Sequence, residues 1–518
     1  MSVIHRCQQG FTTVTLMGVL LVGGLLVAAS FAAVQPDIGF TKKDEDSKQA
    51  YAAAEAGINY YLNRMGQDNV YYTKCDQVPS PALNAVNLEW AGTGADPRKW
   101  LKIPGYQAEY AVELLAVQTT AAGMEVCVPD QPATMVDPKT GTFRIRSTGR
   151  VRTPASASDK PYKRSIVTTL RRKSFIDFLW FSDYETADPY AYPLDQQQWA
   201  ADNCSSYRTT RSAFCKDQDF ISVDSFDGPF KTNDSISICG TPSFGGASTD
   251  VIELNGVAPG WVAGCGGASP NFVGTVKHPA GQLPMPSSNA ELANAADDDY
   301  VYDGETKLNF KGTTVDITNN GTTANRPLPP SGVIYVKNTS CTTPYQFKQL
   351  YASTPGCGNV YVKGTYNADI TVGADNDIIV EDDFKASDRN TVLGGLIANN
   401  FVRIYHPVNN WSNGDTDCDN NGGPGAIQVD AAILALNHSF LVDNYYCGNA
   451  LGTLQVNGAI AQKFRGTVGQ HSGGSVQHGY GKDYNYNTQL RFREPPYFVN
   501  PTDAPWRIVR QNEQVPAR

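Results

Sequence analysis

The stretch with the plainest ligand chemistry is Asp415-Thr416-Asp417-Cys418-Asp419-Asn420-Asn421-Gly422. Carboxylates at alternate positions can turn to one side and converge on Ca2+, so Asp415, Asp417 and Asp419 are the candidate metal ligands. The loop departs from an EF-hand, because its Gly is displaced and no Glu closes it. A solvated Asn/Asp/Gly loop pinned by Cys418 is the favoured reading. Apart from this candidate Ca2+, no cofactor is expected. A second acidic set, Asp375, Asp377, Glu381, Asp382 and Asp383 with Lys385 and Arg389 beyond it, has the residue types of a polysaccharide lyase. Such an enzyme needs carboxylates, often holding Ca2+, and a basic side chain to take a proton. The same order also suits a polar corner between strands, and no enzyme is expected. Of the six histidines only His471 and His478 are close in sequence, in a Gly-rich loop, and no Ser/His/Asp arrangement stands out. Trp411, Tyr445, Tyr446, Tyr480, Tyr484 and Tyr486 could stack on sugars, although closing the last strands of a sheet is the favoured use.

The elements that must hold these residues follow from composition and pattern. A chain of 518 residues exceeds one ordinary domain, and 47 Gly, 31 Pro and 26 Tyr lean it toward strands and turns. A net charge of −9 gives no electrostatic footprint for nucleic acid. Cys7 aside, ten cysteines remain, Cys75, Cys127, Cys204, Cys215, Cys239, Cys265, Cys341, Cys357, Cys418 and Cys447. Their even number and lack of CxxC spacing point to disulfides in an oxidising compartment rather than zinc. Cys204/Cys215, Cys239/Cys265 and Cys341/Cys357 are the local pairings expected, although sequence does not settle them.

A helical pattern runs from about Lys42 to Arg64, with Tyr51, Ala54, Ile58, Tyr61, Leu62 and Met65 on one apolar face and Gly66 as a stop. Short, partly alternating strands follow at Tyr106 to Val117, Met124 to Val128, Thr142 to Val151 and Arg164 to Arg171. The basic residues Lys160, Arg164, Arg171, Arg172 and Lys173 read as a solvated strand end. The aromatic stretch Ser174 to Asp183 reads as core leading into a second domain. Beyond it come short β-branched runs with polar corners, among them Gly332-Val-Ile-Tyr-Val336, Asp377-Ile-Ile-Val380, Leu396-Ile-Ala398 and Ala432-Ile-Leu-Ala435. These read as the rungs of a parallel β-helix, with a β-sandwich as the competitor.

The amino terminus has its own signature. Between Phe11 and Val34 lie 24 residues without Asp, Glu, Lys or Arg, enough to cross a bilayer as a helix. A short leader, Met1 to Gly10, precedes them, so a cut at Gly10-Phe11 would leave the apolar run in the mature chain. This layout resembles the type IV pilin and pseudopilin family, and Ala50 to Gly57 is similar to the PilX-like group. The resemblance implies a prepilin cleaved by prepilin peptidase, methylation of Phe11, and a transmembrane helix that packs with other pilin subunits. Thr15 stands where the family has an assembly Glu, which implies a subunit at a filament end. The plainer alternative is an uncleaved anchor.

A second resemblance, to bacterial pilin-like proteins carrying a right-handed β-helix, rests on ordered phrases. They include Leu283-Pro284, Leu393-Gly-Gly-Leu-Ile-Ala398, Asn457-Gly-Ala-Ile460, Gly479-Tyr-Gly-Lys482 and Pro495-Pro496. The expected fold is therefore an α+β pilin-like head on a long N-terminal helix, followed by an all-β right-handed parallel β-helix. The expected domains are a leader (1–10), a membrane and filament helix (11–66), a head (67–173) and the β-helix (174–518). The expected function is that of a minor pilin of a type IV pilus, at the tip, serving assembly and cell adhesion through a surface glycan or host receptor. The chain would be a single-pass protein of the bacterial membrane before assembly and lie at the bacterial surface afterwards. The runner-up is a membrane-anchored glycan-binding protein or polysaccharide-degrading enzyme.

Overall fold

The computed structural model describes residues 42–68, 70–76, 86–92, 98–115, 135–137, 140–151, 161–341, 345–412, 417–472, 474–502 and 504–518. Gly10, Phe11, Thr15 and Cys127 lie outside the described residues. Two compact units are present. Met1–Gln131, Arg144–Thr169 and Gln511–Arg518 form the first, and Pro132–Phe143 and Leu170–Arg510 the second.

In the first unit, residues 42–67 are helical. Small side chains recur at helical spacing, so the helix can lie close to its sheet: Ala50, Ala53, Ala54, Ile58, Tyr61 and Met65 are all buried. The sheet runs in the order Leu101–Lys102, Ala108–Leu115, Thr142–Val151, Tyr162–Arg172, Trp506–Gln514, its first three strands antiparallel. At the closest approach Gly149 faces the helix, and a Cβ there would come within 1.9 Å of the Ala50 carbonyl oxygen. Gly57 is as tightly placed, with a Cβ reaching 2.3 Å from Ser147 Oγ. Within the sheet the buried pair Arg150 Nη2–Glu109 Oε2, 2.7 Å, crosses adjacent strands, and the Trp100 ring lies under the guanidinium at 3.7 Å.

The second unit is organised by two sets of parallel ladders within a 23-stranded sheet. One set runs Val301–Asp303, Val333–Lys337, Ile370–Ala374, Gly394–Ala398, Ala432–Ala435, the 459–462 part of Ala450–Arg465, Trp180–Ala187, Phe230–Thr232, Val251–Glu253 and Thr275–Lys277. Register places Ile334, Val372, Leu396, Ile433, Ile460, Trp180, Phe230 and Ile252 in one inward column. Burying each of these contributes about 1.5–3 kcal/mol. Their outward neighbours Tyr335, Ile397, Leu434, Ala461 and Phe181 belong to a second buried cluster. Strands covered on both faces read as continuous apolar runs rather than alternating ones, which explains phrases such as Ala431-Ala-Ile-Leu-Ala435. The other set of ladders carries the column Phe384, Val429, Val456, Tyr484, Phe226, Phe244 and Phe272.

Disulfides in this unit join Cys204 to Cys215, Cys239 to Cys265, Cys341 to Cys357 and Cys418 to Cys447. Cys75 of the first unit is also disulfide-bonded.

Three expectations are corrected here. Of the described residues 44% are in strands and 14% in helices, and the sheets make a half-barrel rather than a clear right-handed parallel β-helix. The physical reason is stacking order. Ladders end in antiparallel excursions at Thr306–Gly312/Thr314–Asn319/Thr322–Pro327 and at Gly469–Ser472/Ser475–Tyr486. Moreover, the rungs do not stack in chain order, because strands near 460 and 484 pair with strands near 180 and 226.

Among the described residues the long N-terminal helix expected over 11–66 is not found. The described helix begins at residue 42 with the charged run Lys42-Lys43-Asp44-Glu45-Asp46. That run, with Lys48, Glu55 and Arg64, also rules this helix out as a bilayer span, since charged groups are costly in hydrocarbon. Among the described residues no helix is long and apolar enough to cross a membrane, which overturns the transmembrane helix and the single-pass location in the bacterial membrane. The run from Phe11 to Val34 lies outside the described residues. A smaller revision concerns Arg171, read as solvated. It is fully buried in the second unit against Asp177.

The helix–sheet approach yields a direct test. Gly149→Ala should destabilise the full chain by about 1–3 kcal/mol through overpacking. An unchanged melting temperature would show that the helix does not press on Gly149.

Candidate functional site

The acidic set nominated for lyase chemistry does not converge. Along strand Ile378–Ala386 successive side chains point to opposite faces, and each carboxylate has its own partner. Asp375 accepts from Tyr335 Oη and the Asn338 amide, Glu381 pairs with Lys363 at 3.1 Å, and Asp383 pairs with Lys385 at 2.7 Å. Asp377 is buried and faces Arg403 Nε at 3.1 Å. In the Ca2+ candidate loop, Asp415 and the side chain of Asp417 lie outside the described residues. Asp419 is exposed and accepts from Asn410 at 2.9 Å. Among the described residues no group of three or more His, Cys, Asp or Glu side chains is placed to hold a metal ion. Of the candidate aromatics, Tyr480 and Tyr484 are core, Tyr486 donates to the Ile176 carbonyl, and Tyr446 stacks on Phe347 at 4.5 Å.

Two charged clusters emerge instead. One is closed. Arg403 Nη1 donates to Asp443 Oδ2 at 2.9 Å while its Nε faces Asp377, and Tyr351 Oη donates to the same Asp443 oxygen at 3.0 Å. Burial pushes the Asp443 carboxyl up to about 6, and Asp377, sharing the one guanidinium, adds to the rise against the pull of Arg403. This cluster braces the strands beneath the 345–357 segment.

The other cluster is open and is the candidate site. It lines a cleft of about 290 Å³ in the second unit, formed by Asp219, Asp224, Tyr445, Arg465, His471 and Lys482 with the backbone around Gly466 and Gly469. The cleft lies where the later strands of the sheet dock on the earlier ones. Hairpin Gly469–Ser472/Ser475–Tyr486 supplies His471 and Lys482, strand Ala450–Arg465 ends in Arg465, and the turn after strand Asp219–Ile221 supplies Asp224.

Lys482 Nζ donates to Asp224 Oδ1 at 2.7 Å, and Asp224 Oδ2 accepts from the Ile221 amide at 3.0 Å. Arg465 donates to the carbonyl oxygens of Gln218 and Asp219 at 2.5 and 3.0 Å, and its guanidinium lies 3.4 Å from the Phe220 ring centroid. Behind it, buried Glu185 sits 3.6 Å from Arg465 and accepts from Ser182. Burial works to raise the Asp224 carboxyl, but Lys482 and Arg465 outweigh it and hold it below its ordinary value. Burial lowers Lys482 and His471, and Lys482 lowers His471 further. Both ring nitrogens of His471 are shielded from solvent and lack a hydrogen-bond partner. Chemically, the cleft offers donors and acceptors of balanced charge on a half-open wall.

Tyr445, a candidate for sugar stacking, and His471, noted beside His478, both fall in this cleft. Nothing in the local pattern marks Asp224 or Lys482, and the signal of Arg465 is a cation at the end of a largely apolar strand. Comparison with protein-family models, curated proteins and solved structures gives no match.

Two outcomes follow from these clusters. Asp224→Asn leaves Lys482 buried without its counter-charge and should cost about 3–5 kcal/mol at neutral pH. The folded Asp224 value is depressed, so its contribution is present above 3.8 and lost as pH falls through the lower folded value. Urea denaturation should therefore show the penalty shrinking in strong acid. For Asp443 the sign reverses. Its contribution is complete below 3.8 and is lost as pH rises through about 6, roughly 3 kcal/mol at about 1.4 kcal/mol per pH unit. Asp443→Asn should flatten the stability profile across that window, and an unaltered slope would refute the assignment.

Proposed function

We propose that this chain is a minor type IV pilin-like subunit, placed at a filament end, whose large second unit serves adhesion by binding a ligand. The observation that carries this reading is the packing of helix 42–67 on a sheet with antiparallel strands, in a chain whose sequence has the Gly10-Phe11 junction and an apolar run ahead of that helix. A helix held this closely to its own sheet leaves its other face for neighbouring subunits. Disulfides through the second unit suit exposure to an oxidising medium, where a binding surface must keep its shape without a partner chain. Thr15 supports the terminal position, because a subunit lacking the assembly carboxylate has less to offer within a shaft. The carboxylates nominated for lyase chemistry are paired off separately, and the role proposed is binding rather than catalysis.

Mass spectrometry of the mature amino terminus tests the reading. Methylated Phe11 is expected, and an intact Met1 would overturn it. Immunogold labelling of filaments should mark ends, whereas uniform shaft labelling contradicts the terminal position.

A further inference from the structure

We propose that the cleft lined by Asp219, Tyr445, His471 and Lys482 is a sugar subsite that takes one neutral, hydroxyl-rich ring. The inference rests on the adhesive role assigned to the second unit and names the class of ligand. Four features of the cleft carry it.

The first is size. At about 290 Å³ the space stands at the low end of small-molecule sites, roughly 300–1,000 Å³, and suits a single ring. The second is charge. Lys482 and Arg465 face Asp219 and Asp224, so the lining is balanced. An anion would meet two carboxylates. The cations are already engaged, Lys482 by Asp224, and Arg465 by two backbone carbonyls and the Phe220 ring. A cation would meet Lys482 and Arg465 in turn. A neutral polar ligand pays neither penalty.

The third feature is His471. Buried polar atoms are nearly always hydrogen-bonded, yet both of its ring nitrogens are shielded and unpartnered. A neutral imidazole has one donor and one acceptor nitrogen, and a hydroxyl can serve either. Once the imidazole turns into the cleft, two hydroxyls of one ring would satisfy both. The fourth is Tyr445, whose half-buried ring forms part of the wall and is held edge-on by Tyr446 at 5.5 Å. An aromatic face beside mixed polar groups matches the two surfaces of a pyranose, one of C–H groups and one of hydroxyls.

The test is saturation-transfer NMR of the full chain with glucose, galactose, mannose, N-acetylglucosamine and galacturonate, each at millimolar concentration. At least one neutral sugar should receive saturation, and galacturonate should bind no better. His471→Ala should weaken that binding at least tenfold with an unchanged melting temperature. Gln470→Trp, at an exposed mouth position, should block entry without disturbing the buried pairs and serves if His471→Ala fails to fold. No saturation with any neutral sugar, binding of galacturonate alone, or undiminished binding in both variants overturns the inference. An absence of sugar binding in a chain that begins at methylated Phe11 sinks the subsite alone. Sugar binding by a chain with an intact Met1 sinks the filament reading alone.

Discussion

The second unit depends on one joint, the parallel pairing of Ile460 with Trp180 and of Tyr484 with Phe226. Through it two separate runs of the chain become a single sheet with an unbroken interior. Trp180 lies at the centre, within 6.3 Å of the rings of Phe220, Phe226, Phe230 and Tyr484. Aromatic side chains bury large areas and gain further from edge-to-face contact. Without the joint, Trp180 and Phe230 on one side and Ile460 and Tyr484 on the other would face water. The closure is long-range in sequence, and its entropy must be met by this dense aromatic packing.

The same joint concentrates charge. Arg465, Lys482, Asp224 and Glu185 are brought together at its edge, at burial levels where a lone charge would cost several kcal/mol. Each therefore has a counter-charge, a backbone oxygen or a ring against it. The closed Arg403 cluster solves the same problem with two carboxylates on one guanidinium, and one of them moves toward neutrality. What distinguishes the cleft is that its network stops short of His471. The cleft residues border an open space, whereas the Arg403 cluster is closed by its own partners.

Much of the element-level pattern was legible. Gly332-Val-Ile-Tyr-Val336 and Ala432-Ile-Leu-Ala435 read as strands because both faces of each are covered, leaving apolar runs in the sequence. Ala54, Ile58, Tyr61 and Met65 read as a buried helical face because side chains spaced by a turn share one side. The stacking order was not legible. A short apolar strand pairs equally well with many others, and nothing in residues 450–465 names Trp180–Ala187 as the neighbour. Arg171 was misjudged for a similar reason, since a local basic run gives no hint of Asp177 turned toward it.

The candidate site divides the same way. By itself, the sequence determined the helix from about Lys42, several of the strands, such as Thr142 to Val151 and Gly332 to Val336, and the cysteine complement, because periodicity, β-branching and turn residues act over a few neighbours. Only the tertiary structure decided that the carboxylates from Asp375 to Asp383 are paired off separately. It alone decided that Asp219, Asp224, Arg465, His471 and Lys482, scattered over more than half the chain, share one cleft. The physical reason is that charge neutralisation and hydrogen bonding depend on distance in space. In this sheet that distance is set by a joint between strands nearly three hundred residues apart.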